Sequence, residues 1–303
     1  MKTTTFLSLT SILCCLLAPG VTKAQTAYVT SFGSFTDGSG GKVVQYNASG
    51  VFQRNFAAVN SAHDVVFDVQ RDVYVGSFFA GTVTKFDPNG NGGSIYAGPG
   101  TNRGATGLVF DSNGRLYVSD QATGFIYRYD ASGHNQTIFA SGISSPNHMK
   151  IHGGNLYVTS QAAGTVLEYS LDGRFLRTVV SGVPGIVGLD FDATGALYVS
   201  SNFNGFIRRY APGSASGVDI VTGLVNPHGV TIGPDQMLYV AEELRDRVLE
   251  FHLDGSGQST FISVSHPVEI EFLAASTPEP GTWALLGCLG MSGASLYMRR
   301  RRR

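Results

Sequence analysis

An all-β chain built as a six-bladed β-propeller is the fold class this sequence predicts, on three observations. A Tyr-Val pair recurs at Tyr28, Tyr74, Tyr117, Tyr157, Tyr198 and Tyr239, at spacings of 46, 43, 40, 41 and 41 residues. A second aromatic keeps step with it at Tyr46, Phe86, Tyr129, Tyr169, Tyr210 and Phe251. Five residues before each of these stands Gly41, Gly81, Gly124, Gly164, Gly205 and, in the sixth copy, Asp246.

Residues 1–24 read as a secretory signal peptide, with Lys2, an apolar stretch from Phe6 to Leu17, and small residues around Thr22-Lys23-Ala24. The propeller is expected over 25–275. Its fifth copy displays the unit. Gly188–Asp192 alternates apolar and polar as a half-buried strand does, and Asp192 to Gly195 is a turn. Ala196–Ser201, Phe206–Tyr210 and Val218–Thr222 follow as three more strands. Four strands per repeat of this length make a propeller blade. The first copy opens at its second strand, Ala27–Phe32, with no innermost strand before it. The last copy is followed by an orphan strand, Val268–Phe272, patterned like Leu189–Phe191 and Val230–Ile232. The C-terminal strand is therefore expected to complete the first blade, a closure that removes open sheet edges.

The remaining segment, 276–303, has a different logic. Pro278-Glu279-Pro280 precedes an uncharged run over 282–298 and five terminal arginines, Arg299, Arg300, Arg301, Arg302 and Arg303. Seventeen residues without charge are just long enough for a membrane-spanning helix. Trp283 and Tyr297 stand at its two ends, where aromatics favour the headgroup layer, and the arginines are expected to stay in the cytoplasm. The propeller then lies outside it. These parts in this order resemble the PEP-CTERM sorting signal of Gram-negative bacteria. The resemblance implies recognition by an exosortase after passage through the export machinery and removal of the tail, with the domain then at the cell surface or in the extracellular matrix. It also implies a host that makes extracellular polysaccharide.

All three cysteines, Cys14, Cys15 and Cys288, fall in the terminal segments, so the propeller must be stable by packing alone and thiol catalysis is excluded. The chain's 21 basic and 22 acidic residues become 14 and 21 once Lys2, Lys23, Glu279 and the five terminal arginines are set aside. A net charge of −7 excludes nucleic acid as a partner.

The repeats also resemble NHL propellers, and more loosely gluconolactonase-like ones. The unit behind this is Asn226-Pro227-His228-Gly229-Val230, Leu238-Tyr239-Val240, Arg247-Val248-Leu249-Glu250-Phe251 and Asp254-Gly255. It speaks for the fold and not for an activity. The loops expected to ring the channel mouth supply His63, Asp64, Thr106, Asn147, His148, Val187 and His228 before the innermost strands. After the second strands they supply Asp120, Asn202, Asn204, Glu242 and Glu243. His63, Asp64, Asn147, His148, His228 and Glu242 are the candidate ligand-binding set. No catalytic residue is assigned. Some NHL-type lyases bring histidines together on a metal, so His63, His148 and His228 are the candidates for a divalent ion, although no short metal-spacing motif accompanies them. Gluconolactonase-like enzymes hold a divalent metal through Glu, Asn and Asp. Here Asn147 fits one place, but Ala62-His63-Asp64 and His228-Gly229 stand where that family has Glu-Gly-Pro and Asp-Gly. The expectation is a binding or scaffold module for a polysaccharide, peptide or matrix component. The alternative is an envelope lyase or lactone hydrolase with a channel metal.

Overall fold

The computed structural model describes residues 25–36 and 38–273, which form six four-stranded antiparallel sheets. The expected signal peptide (1–24) and sorting segment (276–303) lie outside the described residues. Among the described residues no helix is long and apolar enough to cross a membrane. The helical turn present is a 3₁₀ turn at Glu243–Arg245.

Blades 1 to 6 begin at the channel with Pro267–Leu273, Ala62–Phe67, Gly104–Phe110, Pro146–His152, Ile186–Phe191 and Pro227–Ile232. Their second strands are Thr26–Ser31, Val73–Ser77, Leu116–Asp120, Asn155–Ser160, Leu197–Ser201 and Leu238–Glu242. The C-terminal strand does complete the first blade. It runs antiparallel to Thr26–Ser31, with Phe272 opposite Ala27 and Ile270 opposite Val29. The expected fifth blade shifts by a residue or two, because Asp192 leaves the strand to cap its turn. Its Oδ1 accepts the N–H groups of Thr194 and Ala196 at 2.9 and 3.0 Å.

The repeated residues have repeated jobs. The residue before each Tyr-Val pair lies opposite the second aromatic: Ala27 and Tyr46, Val73 and Phe86, Leu116 and Tyr129, Leu156 and Tyr169, Leu197 and Tyr210, Leu238 and Phe251. The tyrosines of the pair are buried. Four of their hydroxyls donate to the aspartate of the turn below, Asp68, Asp111, Asp192 and Asp235, at 2.7–3.2 Å. A buried hydroxyl with a partner loses little on leaving water. Gly81, Gly124, Gly164 and Gly205 have φ between 60° and 75°, and Asp246 takes the same left-handed conformation at φ 53°, which aspartate tolerates.

Six apolar clusters lie between neighbouring blades, including one that joins Tyr239, Val248 and Ile262 of blade 6 to Val29, Val44 and Ile270 of blade 1. Hydroxyls reinforce these seams. Two residues after the Tyr of each pair stand Thr30, Gly76, Ser119, Thr159, Ser200 and Ala241. Thr30, Ser119, Thr159 and Ser200 each donate to a carbonyl on the innermost strand of the next blade: His63, Asn147, Val187 and His228.

Two outcomes are expected from this architecture. A chain ending at Ser276 should melt cooperatively near the full chain. One ending at Ser263 loses the burial of Val268 and Ile270, worth ~1.5–3 kcal/mol each, and the whole blade 1 to blade 6 seam. Similar melting temperatures would refute closure by that strand. Thr159→Val keeps shape but leaves the Val187 carbonyl unpaired, and denaturant titration should show a loss of about 1–3 kcal/mol.

Candidate binding site at the central channel

The channel is lined by tiers of side chains, one per blade, because innermost strands in matching register place equivalent residues at equal depth. The mouth tier is the residue that follows each second strand: Phe32, Phe78, Gln121, Gln161, Asn202 and Glu243. Their backbone groups are equivalent. Each N–H donates, at 2.9–3.2 Å, to the carbonyl of a residue just before the innermost strand: His266, Ser61, Arg103, Ser145, Gly185 and Asn226. Those six acceptors all have left-handed φ between 45° and 70°. Identical backbone bonds thus present two phenylalanines, two glutamines, an asparagine and a glutamate.

His63, Thr106, Asn147, Val187, His228 and Val268 form the next tier. They sit on the strands themselves rather than in the preceding loops, the first correction to the sequence expectation. His63 Nδ1 donates to the Thr106 carbonyl at 2.7 Å, which fixes the tautomer and leaves Nε2 a bare acceptor. This bond serves the seam between blades 2 and 3, where Gly76 supplies no hydroxyl. The His63 ring lies 5.2 Å from that of His228 and stacks on Phe78. Burial lowers His63 to about 4, and burial with His63 nearby lowers His228 to about 3. Both imidazoles are therefore neutral at ordinary pH.

One residue deeper, Asp64, His148 and Glu269 share a tier with Gly107, Gly188 and Gly229. His148 Nε2 lies 3.4 Å from Glu269 Oε2 and 3.9 Å from Asp64 Oδ2, so blade 4 reaches across the channel to blades 1 and 2. Gly229 makes the room: a Cβ there would come within 2.5–2.6 Å of the Glu269 carboxyl. All three are almost fully buried. Burial pushes Asp64 up to about 7, despite the Leu108 N–H donated to its Oδ2 at 2.7 Å. Burial and Asp64 together raise Glu269 well above the carboxylate range, and burial holds His148 well below the imidazole range. Leaving a charge in such a site costs several kcal/mol, more than the ~1–3 kcal/mol a charged hydrogen bond returns. Below about pH 7 the tier is thus a set of neutral groups. Below it Lys150 Nζ meets Glu271 at 2.8 Å, again from blade 4 to blade 1. Burial opposes the Lys150 charge, but Asp190 and Glu271 raise it above the usual lysine range. A cavity of about 210 Å³ opens beneath, lined in part by Val66, Val109, His148, Lys150 and Glu271.

The structure brings His63, Asp64, Asn147, His148 and His228 to the channel in two tiers. Glu242 does not join them. It is fully buried, its oxygens taken by Val225 N–H at 2.7 Å, Arg247 Nε at 2.6 Å and Arg245 Nη1 at 3.3 Å. The grouping of titratable side chains also differs from the expected three histidines. Among the described residues, Asp64, His148 and Glu269 are the trio whose donor atoms lie within 4.8 Å of one another. Glu269 was legible: it holds the register of Asp64 and His148 on the closing strand. Lys150, Asp190 and Glu271 follow two residues further along by the same rule.

The trio is a poor cage for a cation as it is arranged. His148 Nδ1 accepts the Leu189 N–H at 3.3 Å, so Nε2 carries the proton, whereas a metal-bound imidazole donates from its other nitrogen. Asp64 already accepts the N–H groups of Val65 and Leu108, and Glu269 Oε1 accepts Thr231 Oγ1 and Ile270 N–H.

No family model matches this chain, and no curated protein matches it. Among solved structures it resembles a chain of a nidogen/laminin complex, with TM-score 0.69 and 17% identity over 84% of this chain and 100% of that one. It resembles a streptogramin B lyase with TM-score 0.61 and 16% identity, over 80% and 86% of the two chains. For a virginiamycin B lyase from Staphylococcus aureus the values are 0.56 and 17%, over 69% and 73%. At such identities the likeness shows the six-bladed propeller fold and nothing finer.

The buried carboxyl tier sets a pH dependence. A carboxyl held near 7 in the folded chain and near 4 in the unfolded one adds stability below about 4 that is lost as pH rises through about 7. Stability of the natural chain relative to Asp64→Asn should therefore fall between about pH 4 and 7, by ~4 kcal/mol at most, and level off above. Denaturant midpoints of both proteins across this range measure it, and a constant difference would contradict a buried protonated Asp64.

Proposed function

We propose that this chain is an exported propeller, sorted at the cell envelope by an exosortase and used there as a binding or scaffold module with the channel mouth as its binding face. The observation behind the binding face is the mouth tier. Six equivalent backbone hydrogen bonds hold Phe32, Phe78, Gln121, Gln161, Asn202 and Glu243, so the fold's own demand is the same in every blade while the side chain changes from Phe through Gln and Asn to Glu. Where packing dictates a residue in this molecule, as for the Tyr-Val pairs, it recurs in every blade.

Export and sorting rest on the signal-like residues 1–24 and the PEP-CTERM-like segment from Pro278 to Arg303. The closing strand ends at Leu273, so a cut near Pro278–Pro280 would free a finished ring. The nidogen/laminin likeness is to a propeller solved in a complex with another protein, which favours a role in holding a macromolecule.

The binding face is tested with labelled full chain, in mild detergent, applied to the surface of cells of its own host. Gln161→Ala and Asn202→Ala, combined, should cut surface binding at least fivefold, while Ile138→Ala on an outer strand leaves it intact. Equal binding by all three proteins would remove the mouth from consideration. The competing reading, a lyase or lactone hydrolase with a channel metal, is favoured by the lyase folds and would require Asp64, His148 and Glu269 to give up their present hydrogen bonds. A stoichiometric divalent ion in the purified chain, lost in His148→Ala, would favour the enzyme over the module.

A further inference from the structure

The mouth is unequal around its circumference. Phe35, Phe203 and Leu244 are 49%, 72% and 52% exposed, on the loops that follow the second strands of blades 1, 5 and 6. Closure makes these three blades consecutive. The other large exposed apolar residues among those described stand elsewhere, on outer strands such as Ile95, Ile138 and Val218 or in a turn at the far end such as Val69.

Between the apolar side chains lie polar atoms without hydrogen-bond partners. Asn202 Oδ1 and His266 Nδ1 are buried and have no hydrogen-bond partner. Glu243 is buried with Oε2 accepting the Asn226 amide. Burial pushes it up to about 7. An unpaired buried acceptor costs about 1–3 kcal/mol, so turning the Asn202 amide out to a ligand that donates to it regains that energy. Gly185 keeps the patch in place, since a Cβ there would come 2.6 Å from Asn202 Oδ1 and 2.5 Å from the Phe203 ring.

Three requirements follow for an occupant. It must donate several hydrogen bonds, offer flat apolar faces to exposed aromatic rings, and carry no large negative charge against a domain of net charge −7. An extended peptide meets the first poorly, because its N–H groups pair best with an open strand edge, and the free edges of the innermost strands face a channel crossed by side chains such as His148 and Lys150. A sugar ring meets all three, with hydroxyls as donors and C–H faces for stacking.

We propose that the mouth sector formed by blades 5, 6 and 1 binds an uncharged glycan, with sugar rings against Phe203 and Phe35 and hydroxyls donating to Asn202 and Glu243. The proposal rests on the mouth being the binding face and names its ligand.

The test is calorimetric titration of the full chain with cellohexaose, maltohexaose, chitohexaose and dextran. At least one should bind with an affinity insensitive to added salt. Phe203→Ala and Asn202→Ala should each weaken it tenfold or more at unchanged melting temperature, and Ile138→Ala should not weaken it. Absence of binding to all four probes, or binding that neither mouth variant alters, overturns the proposal. So does mouth-dependent, salt-sensitive binding of an oligolysine peptide in place of the sugars. If cell-surface binding then still depends on Gln161 and Asn202, the mouth remains the binding face and only the glycan is refuted.

Discussion

The hydrogen bond from a second-strand hydroxyl to the next blade's innermost carbonyl is the interaction on which this ring depends. Apolar clusters bring neighbouring blades together, but packing alone leaves their relative height free to slide. Thr30, Ser119, Thr159 and Ser200 fix that height at four seams, each by a bond to a defined carbonyl. At a fifth seam Gly76 supplies no hydroxyl. A Cβ there would already lie 2.4 Å from the Ala105 carbonyl, and the His63 imidazole bonds the Thr106 carbonyl instead. A residue that reads as a ligand candidate is thereby also a structural one.

Fixed blade heights turn a one-dimensional repeat into stacked tiers. Equal register places Asp64, His148 and Glu269 at one depth and Lys150, Asp190 and Glu271 two residues below. Blade 4 then meets blade 1 twice across the channel, through His148 to Glu269 and Lys150 to Glu271. The two levels solve burial differently. The upper one suppresses charge on all three groups, whereas the lower keeps its lysine charged between two carboxylates. These cross-channel contacts bridge the channel below the histidines.

Much of this was legible beforehand. The blade count, the closing strand and the presence of His63, Asp64, Asn147, His148 and His228 at the channel all follow from a repeat whose phase can be counted. The partnerships were less so. Glu242 reads like Glu243, its neighbour, yet one is enclosed by Arg245 and Arg247 while the other sits in the mouth tier. Adjacent strand-end residues face opposite ways, and the arginines arrive from the turn and the third strand. Glu269 lies on a strand whose pattern speaks first for closure of the ring.

The sequence by itself determined the six blades, the strand that closes them, the charge of the domain and the absence of cysteine from it. These are properties of periodicity and composition, and a regular backbone converts them directly into architecture. Only the tertiary structure decided which side chains meet. Contacts such as His148 with Glu269, separated by more than a hundred residues, exist because the ring closes, and their protonation follows from burial that no local segment possesses.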